Sequence, residues 1–366
     1  MNATMRRVVV ATAAVSMAVS LAACGSAKEA DKSKDDKKKK TGPLTIGLLL
    51  PEDQTARYEA MDHPLIEKEI KADCADCKVI YANAKSDTSV QQQQVDSMIT
   101  KNVDVIILDS VDSKAISSSV KKADKAGIPV VAYDRLAEGP VSAYTSFDNE
   151  TVGKVQGEAL LKALGDKAKS GKVVMLNGWE ADPNAALFKK GALSVLKGKV
   201  DIGKQYDVDR WLADEANKSM TGAINSLGKD NIIGVYSAND TMAGGAINAL
   251  KAGGVKPLPP VTGQDAELAG VQRVLAGTQY MSVYKPYGQE AVAAAKMALA
   301  LGRGEKVPAE TTADSPTTKK IPATLIPPVS MTKDNIKDTV VKDGLYKVAD
   351  ICTAKYKAEC DKLGIK

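Results

Sequence analysis

The chain has 366 residues, 44% of them hydrophobic, a formal charge of +5 and one histidine. That length supports two domains with sizeable cores, and a lone histidine excludes a His-based triad and a His-rich metal site. The whole positive excess lies in Arg6, Arg7 and Gly25–Gly42, where seven lysines face four acids, so Pro43–Lys366 is formally neutral and lacks the field a nucleic-acid partner requires.

In chain order, Arg6-Arg7 precede an apolar, small-residue run, Val8–Ala23. It is too short to span a bilayer and has the shape of a secretory signal. Leu21-Ala22-Ala23-Cys24 resembles a bacterial lipobox, which implies cleavage after residue 23 and a lipid on Cys24. Residues 24–42 carry almost no apolar side chain and read as a disordered tether. Lys37–Lys40 fits a solvated spacer beside the anchor better than a nucleic-acid site. No other stretch is long and apolar enough to cross a membrane.

From Pro43 the pattern alternates. Leu44–Leu50 reads as a strand, Tyr58–Ala72 as a helix, Lys78–Ala82 as a strand and Ser89–Lys101 as a helix. Val103–Leu108, Ser113–Ala126 and Pro129–Ala132 continue as strand, helix, strand. This order predicts a parallel sheet with helices on both faces. The pattern restarts after Phe147-Asp148-Asn149, and Asp148-Asn149 fit a hinge. Helices are expected at Thr151–Leu164, Ala185–Leu196, Leu212–Leu227, Asp240–Ala252, Glu267–Ala276 and Gln289–Leu301. Strands are expected at Lys172–Leu176, Ile232–Tyr236, Val261-Thr262 and Tyr280–Tyr284. Ile321–Val329 reads as a crossing strand or linker.

Three strands run into polar side chains: Tyr133-Asp134-Arg135, Ser237-Ala238-Asn239-Asp240 and Gly263-Gln264-Asp265. In open parallel sheets the ligand crevice lies beyond these carboxyl ends. Asp240, directly before a helix, is expected as its N-cap. Neither a Walker loop nor a dinucleotide GxGxxG follows the first strand. Besides Cys24 there are four cysteines, which allow three pairings. Outside the cytoplasm the local pairs Cys74–Cys77 and Cys352–Cys360 are expected; zinc would need a second CxxC or a His cluster.

Several segments together resemble the type I periplasmic sugar-binding proteins, and within them the D-xylose-binding proteins of ABC importers. They are Ala132–Arg135, Ser146–Glu150, Ala238-Asn239-Asp240 with Ala243–Ala246, Gly263–Ala266 with Leu268–Gly270, Val283–Pro286, Asn335–Val340 and Lys342–Gly344. The resemblance runs from Leu44 to about Val348. It implies an α/β fold of two Rossmann-like, doubly wound parallel-sheet lobes joined by a three-segment hinge. The first lobe would be 43–147 plus 283–320, and the second 148–282 plus 321–366. It places a ligand set at Arg57, Tyr58, Asp134, Arg135, Asn184, Trp211, Asn239, Asp265 and Lys285. Tyr58 stands where relatives have Trp, and Met61-Asp62-His63-Pro64 departs from their charged, Pro-free segment.

The chemistry of that set suits a sugar. Asp134 and Asp265 accept from hydroxyls, Arg57, Arg135 and Lys285 donate, and Asn184 and Asn239 do both. Trp211 and Tyr58 can cover the apolar C–H faces of a pyranose, with Trp179 as rim or packing. Asp134 with Asp265 could imitate a glycosidase pair, but this fold closes on a ligand rather than on a bond, so no enzyme is expected. The resemblance thus implies a monomeric, lipid-anchored extracytoplasmic receptor that needs no cofactor or metal. It would bind a monosaccharide, D-xylose foremost, and hand it to an ABC permease. Another aldose (glucose, arabinose, galactose) or a sensory role feeding a membrane kinase are the alternatives. A LacI-type repressor shares the core fold, but a secretory leader and a lysine tether stand where its helix-turn-helix belongs.

Overall fold

The computed structural model describes residues 40–366. The expected signal peptide, Cys24 and most of the tether lie outside the described residues. Among the described residues no helix is long and apolar enough to cross a membrane.

The first half alternates as β1 (Thr45–Leu50), α1 (His63–Asp73), β2 (Lys78–Asn83), α2 (Thr88–Thr100), β3 (Val105–Leu108), α3 (Ser117–Lys125), β4 (Val130–Tyr133) and β5 (Ala143–Phe147). β1, β3 and β4 are buried almost throughout, as strands covered on both faces must be. The second half begins with α4 (Asn149–Leu164), β6 (Lys172–Asn177), α5 (Pro183–Leu196), β7 (Asp201–Asp207) and α6 (Ala213–Leu227). It continues with β8 (Ile232–Ser237), α7 (Asp240–Ala252), α8 (Leu268–Leu275) and β9 (Met281–Tyr284). Then come α9 (Tyr287–Arg303), β10 (Thr311–Ala313), β11 (Ile321–Ile326), β12 (Val329–Thr332), α10 (Val348–Ile351) and α11 (Lys357–Leu363).

Seven strands form one sheet in the order β10-β11-β5-β4-β3-β1-β2, all parallel except β10. A second sheet pairs β7-β6-β8 in parallel. Pro260–Asp265 bonds to β8 on one side and β9 on the other, and β12 closes the edge antiparallel to β9. Each sheet has its own apolar core. Residues 333–366 add a small satellite, in which Ile336, Val340 and Ile351 pack on Val271 and Tyr284 of the second lobe.

Two crossings differ from expectation. β9 belongs to the second sheet, so the return to the first lobe falls after Tyr284 rather than before Val283. β11 pairs with β5 in the first sheet, so the last crossing lies between Ile326 and Val329 and not at residue 320. The long first helix is also interrupted. Tyr58–Asp62 is a π-helical turn, in which His63 N–H reaches Tyr58 O, and α1 starts only afterwards. Pro64 has no N–H to continue an α ladder backwards, and the widened turn absorbs this. Cys74–Cys77 and Cys352–Cys360 are both disulfide-bonded, with Cα atoms 5.3 and 5.9 Å apart.

Candidate functional site

Helix starts bring polar groups to the cleft. Asp182 caps α5, accepting from Asn184 N at 2.8 Å, with Pro183 in the first turn. Asn239, rather than Asp240, caps α7, accepting from Met242 N at 2.9 Å. Asp240 is instead a buried acceptor for Gln279 Nε2, Ser282 Oγ and Glu267 N. Three of the cleft residues hold left-handed backbone: Asp134 (φ 52°), Trp211 (φ 60°) and Asp265 (φ 86°). Such conformations concentrate where a site, not local preference, sets the chain.

All nine residues expected from the resemblance line one pocket between the lobes, with Thr55, Asp182, Phe188 and Gln264. Arg57, Tyr58, Asp134, Arg135, Asn184, Trp211, Asn239, Asp265 and Lys285 are each no more than 5% exposed. The shut pocket leaves a cavity of about 20 Å³, room for about one water. Trp211 packs edge-on to Phe188 at 6.2 Å. Gly178 lets the Trp211 indole lie on the backbone, because a Cβ there would meet ring carbons at 1.9 Å. Trp179 is half-buried against the second core, outside the pocket.

Behind the pocket the charges interlock. Arg57 Nε and Nη2 donate to both oxygens of Asp62 at 2.7 and 3.1 Å. Nη2 also donates to Glu290 Oε2 at 3.0 Å, and Nη1 to Asp134 Oδ1 at 3.1 Å. Four of its five N–H donors are thus used, and one on Nη1 remains. Tyr133 O–H donates to Asp62 as well. Burial would raise the Asp134 carboxyl, but Arg57, Lys285 and Arg135 hold it below the usual value. Burial dominates at Glu290 and pushes that group well up against the pull of Arg57. Burial thus favours the neutral form of Glu290, while the surrounding cations favour the ionised form of Asp134.

Lys285 Nζ sits 3.1 Å from Asp265 Oδ1, and Tyr287 O–H donates to Asp265 O at 2.7 Å. Across the cleft, Asn184 Nδ2 donates to Asp134 O at 3.1 Å, and Arg135 Nε lies 2.9 Å from Asp182 Oδ2. Trp211 Nε1 and Gln264 Oε1 are buried without a hydrogen-bond partner among the described residues. Buried polar atoms are nearly always paired, so these two are free to meet a polar guest. Among the described residues no cluster of His, Cys, Asp and Glu could hold a metal.

A family model described as a periplasmic binding protein domain matches residues 46–306. The chain belongs to the periplasmic binding protein family. This binding protein is 38% identical over 314 residues to the D-xylose-binding periplasmic protein of Escherichia coli K12, covering 84% of the chain and 92% of that protein. It is 33% identical over 328 residues to the multiple sugar-binding periplasmic receptor ChvE of Rhizobium radiobacter, covering 83% and 91%. Among solved structures it resembles an ABC transporter solute-binding protein of Clostridium phytofermentans with bound β-D-glucose. That match has a TM-score of 0.79 and 29% identity, over 84% of this chain and 99% of the other. The expected type I fold stands, and the protein is an extracytoplasmic sugar-binding component of an ABC transporter, not an enzyme.

Sequence reasoning did not single out Thr55, Asp182, Phe188 or Gln264. Asp182 and Gln264 stand beside residues that were singled out. Phe188 follows Asn184 by four positions, on the same face of α5. Of the two acids that hold Arg57, Glu290 gave no local signal, since it lies 233 residues away, while Asp62 is five residues off in the segment noted for its departure from the family pattern.

Proposed function

We propose that the protein captures a neutral aldose, D-xylose foremost, by closure of its two lobes and presents it to an ABC permease. The observation that carries this is one small buried pocket holding carboxyl acceptors, fixed cationic donors, two aromatic faces and two unpartnered polar atoms. A sugar hydroxyl both donates and accepts, so such a mixed lining satisfies it, and charge-assisted bonds are the stronger kind. The full-length similarity to D-xylose-binding periplasmic proteins supports xylose over other aldoses. The ligand contacts are Arg57, Tyr58, Asp134, Arg135, Asn184, Trp211, Asn239, Asp265 and Lys285, and the receptor works as a monomer tethered through a lipid on Cys24. Titration calorimetry against pentoses and hexoses tests the ligand. The expected result is heat with D-xylose and weaker or no heat with hexoses; silence with every aldose removes the reading. Labelled palmitate incorporated by the parent and lost in Cys24→Ala tests the anchor.

A further inference from the structure

Arg135 stands at the boundary between the lobes. Its Nη1 donates to Ser110 O at 3.2 Å and its Nη2 to the Tyr58 hydroxyl at 3.0 Å, both in the first lobe. Its Nε faces two carboxylates. Asp182 Oδ2 of the second lobe is 2.9 Å away, and Asp109 Oδ1 of its own lobe is 3.6 Å away. Asp109 directly follows β3 and is fully buried, yet neither of its oxygens has a hydrogen-bond partner among the described residues. A buried carboxyl left in this way costs free energy and calls for a reason. Burial raises its acid group well above the usual range, against the pull of Arg135. In the shut arrangement burial thus favours the neutral form of Asp109, and the shorter ion pair of Arg135 Nε is to Asp182. Both oxygens of Asp182 are in use: Oδ1 caps α5 while Oδ2 faces the guanidinium.

We propose that Asp109 and Asp182 are alternative partners of Arg135, positioning residues that set how readily the lobes close: Asp182 holds the guanidinium when they are shut, and Asp109 takes it when they part. This rests on the closure reading given above. On opening, Asp182 leaves with α5. Asp109 stays beside Arg135, because β3 and β4, which carry them, are adjacent strands of one sheet. Water entering the cleft favours the ionised form of Asp109, and a side-chain rotation closes the remaining gap. The open form therefore keeps no unpaired cation. Because ligand affinity scales with the fraction of molecules able to shut, the two acids act on binding in opposite directions.

The test combines D-xylose calorimetry with solution scattering of the ligand-free, full-length protein. Asp182→Asn retains an N-capping oxygen but removes the ionic partner. We expect it to weaken D-xylose binding by roughly ten- to a hundredfold and to shift the ligand-free protein toward open forms. Asp182→Glu restores most of the loss. Asp109→Asn mimics the neutral acid of the shut form and removes the partner of the open one. It tightens binding by about three- to tenfold and makes the ligand-free protein more compact. An Asp109→Asn protein that binds more weakly than or equally to the parent overturns the proposal, as does Asp182→Asn with parental affinity. Should Asp109→Asn fail to fold, a ligand-free open crystal structure of the parent decides. Arg135 Nε within hydrogen-bond distance of Asp109, about 3 Å, supports the exchange; a longer separation than in the shut form refutes it. If the parent binds no aldose, the sugar reading fails alone, and ligand-free scattering of the two variants still judges the exchange.

Discussion

At the scale of single residues, the pocket works because its donors cannot move. Asp265 is held by Lys285 and, through its carbonyl, by Tyr287. Asp265→Ala removes a fixed acceptor and should lower D-xylose affinity by roughly 5- to 150-fold, measured by calorimetry with the fold checked by circular dichroism. Arg57 shows how a clamp differs from a contact. Burial favours the neutral form of Glu290, whereas Asp62 is the bidentate partner of Arg57. Glu290→Gln keeps an accepting oxygen and should melt within a few degrees of the parent. Asp62→Asn breaks a buried pair and should destabilise by about 3–5 kcal/mol, read as a fall in the denaturant midpoint. These depths mark the limit of what the sequence told. Asp134, Asn239 and Asp265 were legible because strands visibly ran into them. Glu290 was not, because its contact with Arg57 forms only when α9 returns to the first lobe; Asp62 stands five residues from Arg57, but inside a turn whose π-helical form no local pattern announced.

At the scale of elements, close helix packing aims the second lobe's pocket-lining groups. Gly153 on α4 and Gly191 on α5 let the two helices touch, since added Cβ atoms would meet Phe188 O at 1.9 Å and Glu150 O at 2.0 Å. Gly153→Ala should cost about 1–3 kcal/mol in stability and also weaken sugar binding, because α5 carries Asn184 and Phe188. Between α7 and α8, burial and the neighbouring Asp240 push the Glu267 carboxyl up to about 8. Burial also pushes Asp240 up, to about 7, but its three hydrogen bonds favour the ionised form, so Glu267 is the higher of the two. Its folded value lies above the ordinary 4.5. The stability it lends is therefore complete below about pH 4.5 and drains away as pH rises through about 8. Glu267→Gln should flatten the decline in melting temperature between pH 5 and 9, in scans that compare it with the parent. Helices and central strands were readable from apolar runs and Gly-Pro breaks. β7 and β10 were not: Asp201–Asp207 is largely exposed, polar and at a sheet edge, and Thr311–Ala313 is three residues long. Neither carries the alternation that marks a strand.

At the scale of the whole molecule, the three connections near Phe147, Tyr284 and Ile326 are the places where the lobes can rotate. Asp148 N bonds to Ile326 O, tying two of them side by side. Adding D-xylose should reduce the radius of gyration in solution scattering; superimposable profiles with and without sugar would contradict closure. Two of the crossings were misplaced by a few residues, since neither the return of β11 to β5 nor the pairing of β9 with β12 has a local signature. The interlocked cluster has one more consequence. Arg57, Arg135 and Lys285 each already face at least one carboxylate. A guest that brings its own anion finds no vacant positive charge and meets Asp134 and Asp265 instead. Sugar phosphates and uronic acids should therefore give no heat in calorimetry where a neutral sugar does, so that solutes are sorted by ionisation before shape.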